Sequence, residues 1–250
     1  MIPPEFEYSK ATSIQDAIAQ LGANEDAKLL AGGHSLLPMM KLRFAEPPHL
    51  IDINGIEELK GIRLDGDTIC IGAMTTENEL IESQILQQHC PLLVGAARLV
   101  ADPQVRNRGT IGGDVVHGDP GNDHPAVMLA LDATLVLQGP DGERQQPANG
   151  FFLGTYWNDL QEHEILVELR IPVIKQGVGH GYSKLKRKTG DYAVAGSPVV
   201  VELDGEVCSD IRIALTNVAP MAIRVEAAES LLRGKVIDDA LIEEAAAEVI

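Results

Sequence analysis

The sequence predicts an α+β fold with two small lobes followed by a C-terminal unit of antiparallel strands and helices. Three observations favour this architecture. Apolar runs of strand length alternate with amphipathic helical patterns over residues 1–54, and they do so again over 55–176. A glycine-rich stretch, 176–181, is typical of a linker. Residues 177–250 then contain three strand patterns and end in two helical ones, so we expect three units with these boundaries.

The first unit begins with a short helix. Ser13 is placed to cap a helix over 13–21, whose apolar residues fall on one face. Two short strands are expected, over 28–31 and 49–53, and an Asn-Gly pair at 54–55 is expected to turn the chain after the second strand. This pattern predicts a small α/β lobe.

The second unit contains a strand, a capped helix and a hairpin. Its first strand is expected over 68–73, and Thr76 and Glu79 have the spacing of a capping box at the start of the helix that follows. The other expected elements are helices over 91–99 and 125–131, strands over 133–137 and 164–171, and a hairpin turn at 140–142.

The third unit is predicted to contain strands followed by helices. Strands are expected over 182–186, 197–203 and 211–215, and helices over 222–232 and 238–250. The last helical pattern is still running at Ile250, so we expect further residues to follow it.

Composition excludes several kinds of partner and site. The formal net charge is −17, from 20 basic and 37 acidic residues, which argues against nucleic acid and anionic membrane surfaces as partners. The sequence has no run of 18 apolar residues and no secretion signal, so we expect a cytoplasmic protein without a transmembrane helix. The three cysteines are scattered and form no C-x-x-C motif, so we expect no iron–sulfur cluster held by this chain.

Two segments with paired glycines carry most of the functional signal. The first glycine segment, 31–35, follows an apolar run, and the second glycine segment, 110–114, precedes a polar stretch over 117–124. Paired glycines let backbone N–H groups approach a bulky anion that a Cβ atom would hold away. A single pair is more often an ordinary turn, but two such segments favour a clamp on a dinucleotide diphosphate. Neither matches a P-loop or a Rossmann fingerprint, so another scaffold must bind the nucleotide.

These segments and their surroundings resemble the FAD-binding medium subunits of the molybdenum hydroxylases, the family that includes xanthine dehydrogenase. The likeness runs along the whole chain and is carried by residues 31–41, 102–114, 117–125, 184–192 and 213–220. It implies a two-lobed FAD-binding domain of the vanillyl-alcohol-oxidase (PCMH) type, followed by the C-terminal domain. Within the family it favours the carbon monoxide dehydrogenase type, with nicotine-, quinoline- and aldehyde-type hydroxylases as alternatives.

The resemblance also implies which residues bind FAD. Both glycine segments would hold the diphosphate through backbone N–H groups and through the hydroxyls of Ser35 and Thr110, although each hydroxyl could instead cap a turn. The implied set is Leu29, Leu30, Ala31, Gly32, Gly33, His34, Ser35, Thr110, Ile111, Gly112, Gly113, Asp114, Asp123, Lys184 and Tyr192.

Several of these residues have a second interpretation. Asp123 matches a family position that contacts the cofactor, but it could equally cap the helix that follows, and Asp114 is ambiguous in the same way. Lys184 matches a position near the cofactor, whereas 186–188 fits a solvated or partner-facing edge strand better. Tyr192 falls where the resemblance places an aromatic ring against the isoalloxazine, the alternative being a core tyrosine.

Metal and hydrolase chemistry find no support in the sequence. His34, His117 and His124 have spacings that fit no standard zinc pattern, and no Gly-x-Ser-x-Gly motif occurs. We therefore expect neither a metal site nor a catalytic acid or base in this chain.

The resemblance implies an electron-transfer subunit. In the family, a large molybdenum subunit oxidises the substrate, two [2Fe–2S] clusters on a small subunit relay the electrons, and FAD on the medium subunit passes them to an external acceptor. We expect a dimer of such heterotrimers, in the cytoplasm or at the inner face of the cytoplasmic membrane. The alternatives are a self-contained flavin oxidoreductase, for which no catalytic side chain is evident, and an assembly subunit without cofactor, which the intact glycine segments disfavour.

Overall fold

Each part of the chain contributes one β-sheet. The computed structural model describes residues 2–248, in which a parallel sheet, a five-stranded antiparallel sheet and a four-stranded antiparallel sheet follow one another, with a separate two-stranded ribbon. The α+β architecture predicted from the sequence is confirmed. The boundaries proposed between the three units remain a prediction.

The first lobe is a three-stranded parallel sheet with two helices. Its elements are β1 Glu7–Lys10, α1 Ile14–Ala23, β2 Lys28–Leu30, α2 Leu36–Lys41 and β3 His49–Asp52, with β3 between the other two strands. Ser13 caps α1 as predicted, because its hydroxyl accepts the N–H of Asp16 at 3.1 Å. Helix α1 buries Ile14, Ala17 and Ile18 on one face, so the predicted amphipathic pattern is also confirmed.

The second lobe has one five-stranded antiparallel sheet. Its elements are β4 Ile62–Asp65, β5 Thr68–Gly72, α3 Glu77–Glu82, α4 Gln84–His89, α5 Pro91–Leu99, α6 Pro103–Arg106, α7 Ile111–His117, α8 His124–Ala130, β6 Thr134–Gly139, β7 Gly142–Pro147, β8 Phe152–Gly154, β9 Trp157–Asn158 and β10 Ile165–Pro172. All of its helices, α3 to α8, follow one another along the chain between strands β5 and β6. The sheet order is β4-β5-β10-β6-β7, and β8 pairs with β9. The capping box of Thr76 and Glu79 is present at the start of α3, as predicted.

The C-terminal unit corrects two predictions. Its elements are β11 Gly179–Leu185, β12 Ala195–Asp204, β13 Val207–Leu215, β14 Ile223–Arg224, α9 Glu226–Leu232 and α10 Asp239–Ala247, with the strands in sequence order. The linker predicted over 176–181 is wrong in its second half, because Gly179 and Gly181 pair with β12. The helix predicted over 222–232 begins only at Glu226, because β14 first pairs with β13. The end of the helix predicted over 238–250 lies outside the described residues.

Helix α8 packs against the third sheet and shares a buried core with the second sheet. Every residue of α8 is buried, and all of them except His124 are apolar. Along β6, Leu135 and Leu137 belong to the core formed with α5 and α8, whereas Val136 belongs to the core of the first lobe. Both faces of the second sheet are therefore covered, and the first lobe packs on one of them.

Candidate functional site

A cleft of about 1220 Å³ separates the two lobes and reaches the C-terminal sheet. Both glycine segments line it, and Lys184 and Tyr192 of the C-terminal unit line its far side. Of the residues predicted to bind the cofactor, all line the cleft except Leu30 and Ile111. Ile111 is fully buried in the core of the second lobe, and the carbonyl of Leu30 accepts the N–H of Ile53. The structure thus brings together the other predicted residues without these two.

The first glycine segment presents unpaired backbone donors to the cleft. The N–H groups of Gly32, Gly33, His34 and Ser35 donate to no acceptor within residues 2–248. Gly33 has a φ of +78°, a conformation that glycine adopts without strain. Ser35 makes no side-chain capping bond at the start of α2, so the turn-capping alternative for Ser35 is wrong.

The side chain of Asn54 holds the first glycine segment in place. Its amide Nδ2 lies 2.9 Å from the carbonyl oxygen of Ala31, 3.2 Å from that of Leu30 and 2.8 Å from the Asp52 carboxylate, so its two hydrogens are shared among three acceptors. Three acceptors on one amide fix the segment at the carboxyl ends of β2 and β3. This orders the unpaired N–H groups before any ligand arrives.

The second glycine segment forms the N-cap and first turn of α7, and the N–H groups of residues 111–114 are already used. Ile111 donates to the carbonyl of Thr75 at 3.0 Å, Gly112 to that of Ala73 at 2.9 Å, and Asp114 to that of Thr110 at 3.0 Å. The Thr110 hydroxyl accepts the N–H of Gly113 at 3.2 Å, which is an N-cap bond. The prediction of free backbone donors is therefore wrong for residues 111–114. The Thr110 hydroxyl caps α7 as an acceptor, and its own hydrogen remains available to donate.

Most of the paired glycines are required by protein packing. A Cβ atom on Gly32 would lie 2.3 Å from the carbonyl oxygen of Arg108, and one on Gly112 would lie 2.6 Å from the carbonyl oxygen of Ala73. Gly113 is exposed, and a Cβ atom there would lie 2.8 Å from Thr110 Oγ1 and 3.8 Å from the Cβ of Ala31. The two glycine segments therefore adjoin each other across the cleft.

Asp123 and Lys184 form a buried ion pair at the wall of the cleft. Lys184 Nζ lies 2.6 Å from Asp123 Oδ2, and the two side chains are 2% and 5% exposed. Tyr182 donates its hydroxyl hydrogen to the same carboxylate, and Lys184 Nζ also donates to the carbonyl of Leu99 at 3.1 Å. Asp123 makes no capping bond to α8, so the helix-cap alternative is wrong.

Behind the cleft lies a second buried ion pair that the sequence analysis did not predict. His124 Nε2 lies 2.8 Å from Glu77 Oε2, and the side chains are 0% and 2% exposed. Burial lowers the pKa of His124, but the neighbouring Glu77 carboxylate outweighs it and raises that pKa to about 9. The imidazole is therefore charged at neutral pH. Because 47 residues separate the partners, no local pattern could have revealed the pair.

Asp114 is the third carboxyl group of this region, and it lines the cleft. Its Oδ2 accepts the N–H of His124 at 3.3 Å, so Asp114 caps the start of α8, one of its two predicted roles. Burial, with the nearby charges of Glu77 and Asp123, raises the pKa of Asp114 to about 7 against the opposing effect of His124. The cleft lining therefore includes a carboxyl group whose pKa is raised well above its usual range.

Tyrosine and tryptophan side chains surround the end of the cleft beyond Asp123. Tyr192 is 58% exposed there, so the core-tyrosine alternative is wrong, and Tyr156 and Trp157 line the same cleft with exposures of 54% and 64%. Tyr156 packs against His117 with ring centroids 5.0 Å apart. These rings offer flat apolar faces to a ligand.

The remaining basic and histidine residues form no site of their own. Strand β11 ends at Leu185, so the predicted edge-strand alternation does not extend over 186–188, and Arg187 instead pairs with Asp191 at 3.1 Å. Across the part of the chain that the structure describes, no group of three or more His, Cys, Asp or Glu side chains could hold a metal ion. Nor is any helix of residues 2–248 long and apolar enough to cross a membrane.

Family models match both parts of the chain. Residues 4–174 match the FAD binding domain in molybdopterin dehydrogenase, and residues 180–250 match the CO dehydrogenase flavoprotein C-terminal domain. The two matches together span nearly the whole sequence.

Curated relatives and a solved structure agree with these matches. The chain is 61% identical over 247 residues to the carbon monoxide dehydrogenase medium chain of Hydrogenophaga pseudoflava, which covers 98% of this chain and 86% of that one. It is 46% identical over 248 residues to the carbon monoxide dehydrogenase medium chain of Afipia carboxidovorans, covering 99% and 86%. The solved carbon monoxide dehydrogenase from Hydrogenophaga pseudoflava that lacks the Mo-pyranopterin moiety superposes with a TM-score of 0.98 over 99% of this chain and 87% of that chain.

Proposed function

This chain belongs to the family of FAD-binding domains in molybdopterin dehydrogenases, and we propose that it is the FAD-carrying medium subunit of a carbon monoxide dehydrogenase. The observation that carries the proposal is the row of unpaired N–H groups over 32–35 at an interlobe cleft. The 61% and 46% identities to carbon monoxide dehydrogenase medium chains favour this substrate over nicotine-, quinoline- and aldehyde-type alternatives.

The residues present fit a dinucleotide diphosphate. Aligned backbone N–H groups bind a dianion without a nearby lysine or arginine, and the first glycine segment offers four in succession with an ordered backbone. A Cβ atom at Gly33 would lie 3.1 Å from Leu37 and would require a strained positive φ. We infer that Gly32, Gly33, His34 and Ser35 hold the diphosphate, and that Gly113 leaves room for it.

Other cleft residues have roles that follow from their contacts. Asp123 is fixed by Lys184 and Tyr182, so its carboxylate is positioned to accept a hydrogen bond from a ligand hydroxyl rather than to face a phosphate. Tyr192 presents an exposed ring at the far end of the cleft and would pack against the isoalloxazine. When bound, FAD supplies chemistry that accepts electrons singly and releases them singly or in pairs.

The proposed assembly contains two partner subunits, a large molybdenum subunit and a small subunit with two [2Fe–2S] clusters. Cys70, Cys90 and Cys208 are free and buried, so iron–sulfur clusters on a separate chain fit better than clusters held by this one. Free thiols also fit a reducing compartment such as the cytoplasm. A dimer of heterotrimers and an external electron acceptor complete the proposal.

Two measurements test this function. FAD content and FAD binding are measured on the purified protein, alone and in complex with its partner subunits, and CO-dependent reduction of a dye is measured on the complex with and without flavin. We expect stoichiometric FAD and dye reduction that falls when flavin is removed and returns when FAD is added. A complex that takes up no FAD would overturn the flavin assignment, and a flavin-containing complex that does not oxidise CO would overturn the substrate assignment.

A further inference from the structure

Three carboxyl groups and only two cations meet beside the cleft. Glu77 pairs with His124 at 2.8 Å, and Asp123 pairs with Lys184 at 2.6 Å. Asp114, the third carboxyl group, forms no ion pair with any described residue, and its one side-chain bond is the 3.3 Å contact from the N–H of His124. If all five groups were ionised, the cluster would carry one uncompensated negative charge, which is costly in a partly dry site.

Asp114 is also the member of the cluster that directly follows the glycine pair of the second segment. A Cβ atom built on its neighbour Gly113 would lie 3.8 Å from the Cβ of Ala31 in the first segment, and Asp114 lines the same cleft. A bound diphosphate would bring two further negative charges to this point. A neutral carboxylic acid avoids that repulsion and gains an O–H donor, which a carboxylate lacks.

We propose that Asp114 contacts the bound dinucleotide as a neutral carboxylic acid, so that FAD binding is accompanied by uptake of one proton from solvent. The proton goes to a carboxylate oxygen of Asp114, and its O–H then donates to an oxygen of the ligand. This inference rests on the proposed function, because it assumes that FAD occupies the cleft. It makes Asp114 a residue that couples flavin affinity to pH.

The titratable groups near Asp114 determine the pH at which its proton uptake can be measured separately from theirs. They are Glu77 of α3, Asp123 and His124 at the start of α8, Tyr182 of β11 and Tyr192. Lys184 pairs with Asp123, and His117 lies one turn after Asp114 on the same helix. His124, with a pKa raised to about 9, stays charged at pH 7.5, and burial lowers the pKa of His117 so that it is neutral there. Burial raises the pKa of both tyrosines above the usual range. Asp114, with a pKa raised to about 7, is the member of this set whose protonation changes near pH 7.5. His34 and His163 also line the cleft, so it is the loss of proton uptake in Asp114→Asn that assigns the proton to Asp114.

The direct test is calorimetry of FAD binding to flavin-depleted protein, in complex with its partner subunits where it is purified with them. The binding enthalpy at pH 7.5 is compared between HEPES and Tris, whose different ionisation enthalpies report the number of protons taken up. We expect net proton uptake of at most one proton per FAD, because the part of Asp114 that is ionised beforehand takes up a proton on binding. We also expect affinity to fall by up to about tenfold per pH unit above pH 7.5.

Three variants separate this role from a structural one. Asp114→Asn keeps an acceptor for the His124 N–H and a permanent donor for the ligand, so it should bind FAD within about threefold of the wild type at pH 6.5, with no proton uptake. Asp114→Ala should bind about tenfold more weakly. Glu162→Gln removes an exposed carboxylate that also lines the cleft, and it should leave both the affinity and the proton uptake unchanged.

The possible outcomes distinguish the inference from the proposed function. Wild-type protein that binds FAD with equal heats in both buffers would overturn the neutral-acid role and leave the flavin assignment intact. A folded Asp114→Asn variant that loses more than tenfold in affinity at pH 6.5 would also overturn it, because the charged form would then be the binding form. Failure of the wild type to bind FAD in any form would overturn the proposed function instead.

Discussion

The two glycine segments look alike in sequence, but their backbone N–H groups are used differently in the fold. In the first, 31–35, the backbone N–H groups from Gly32 to Ser35 point to no protein acceptor and the chain is held from behind by Asn54. In the second, 110–114, each N–H from Ile111 onward is bonded within the second lobe. The first segment is open to a ligand, whereas the second supports the wall opposite it.

This difference shows what a pair of glycines does and does not indicate. Gly32 and Gly112 permit close approach, but the approaching groups are the carbonyls of Arg108 and Ala73 and not a ligand. A glycine pair therefore indicates that another group lies close to the backbone. Whether that group is protein or ligand depends on whether the backbone N–H groups already have protein acceptors.

Removing the Lys184 ammonium group, which pairs with Asp123, should have the largest effect on stability. Lys184→Met leaves the Asp123 carboxylate buried without its positive partner, and the expected loss in unfolding free energy is about 3–5 kcal/mol. Urea denaturation measures it, with Lys188→Met at an exposed position as the control. A loss below about 1 kcal/mol would mean that water reaches the Asp123–Lys184 pair, and it would contradict the description of this pair as buried.

Added methyl groups test whether protein packing explains the glycines. Gly112→Ala and Gly32→Ala each force a Cβ atom against a backbone carbonyl, so each should lower the unfolding free energy by about 1–3 kcal/mol. Gly95→Ala is the matched control, because it lies within α5 with nothing within 4 Å of the new Cβ atom, and it should leave stability unchanged or raise it by up to about 1 kcal/mol. If the two cleft variants keep full stability and lose only FAD binding, the packing explanation is wrong.

Stability should decrease as pH rises from about 6.5 to 9. The folded-state pKa of His124 lies above its unfolded value, at about 9, so its ion pair with Glu77 stabilises the fold fully below pH 6.5 and the contribution is lost as pH rises through 9. The expected slope is at most about 1.4 kcal/mol per pH unit, measured by urea denaturation at several pH values. Glu77→Gln should flatten the slope over this range, and an unchanged slope would contradict the assignment.

Two hydroxyl deletions give the smallest and most specific contrast between the segments. Thr110→Ala removes the N-cap of α7 and should cost about 1 kcal/mol of stability. Ser35→Ala removes no protein hydrogen bond, so stability should hold while FAD affinity falls by roughly five- to tenfold. Thermal unfolding and FAD titration of both variants provide the comparison. Equal stability losses in the two variants would contradict the conclusion that the first segment is free to bind a ligand and the second is bonded within the protein.

Local signals predicted much of this fold and part of the site. The Ser13 cap and the Thr76–Glu79 box each involve residues three apart, so they are legible in the sequence. The pairing of Glu77 with His124 spans 47 residues and that of Asp123 with Lys184 spans 61, so neither could be predicted without the fold. The use of the second glycine segment is hidden for the same reason, because the acceptors of Ile111 and Gly112 are Thr75 and Ala73, in the loop between β5 and α3.

Amide hydrogen exchange with and without FAD tests the asymmetry between the segments most directly. If the first segment holds the diphosphate, exchange of the amides of residues 32–35 slows on FAD binding, while the amides of 111–114 exchange slowly in both states. Unchanged exchange at 32–35 in flavin-loaded protein, or slowing confined to 111–114, would contradict this account.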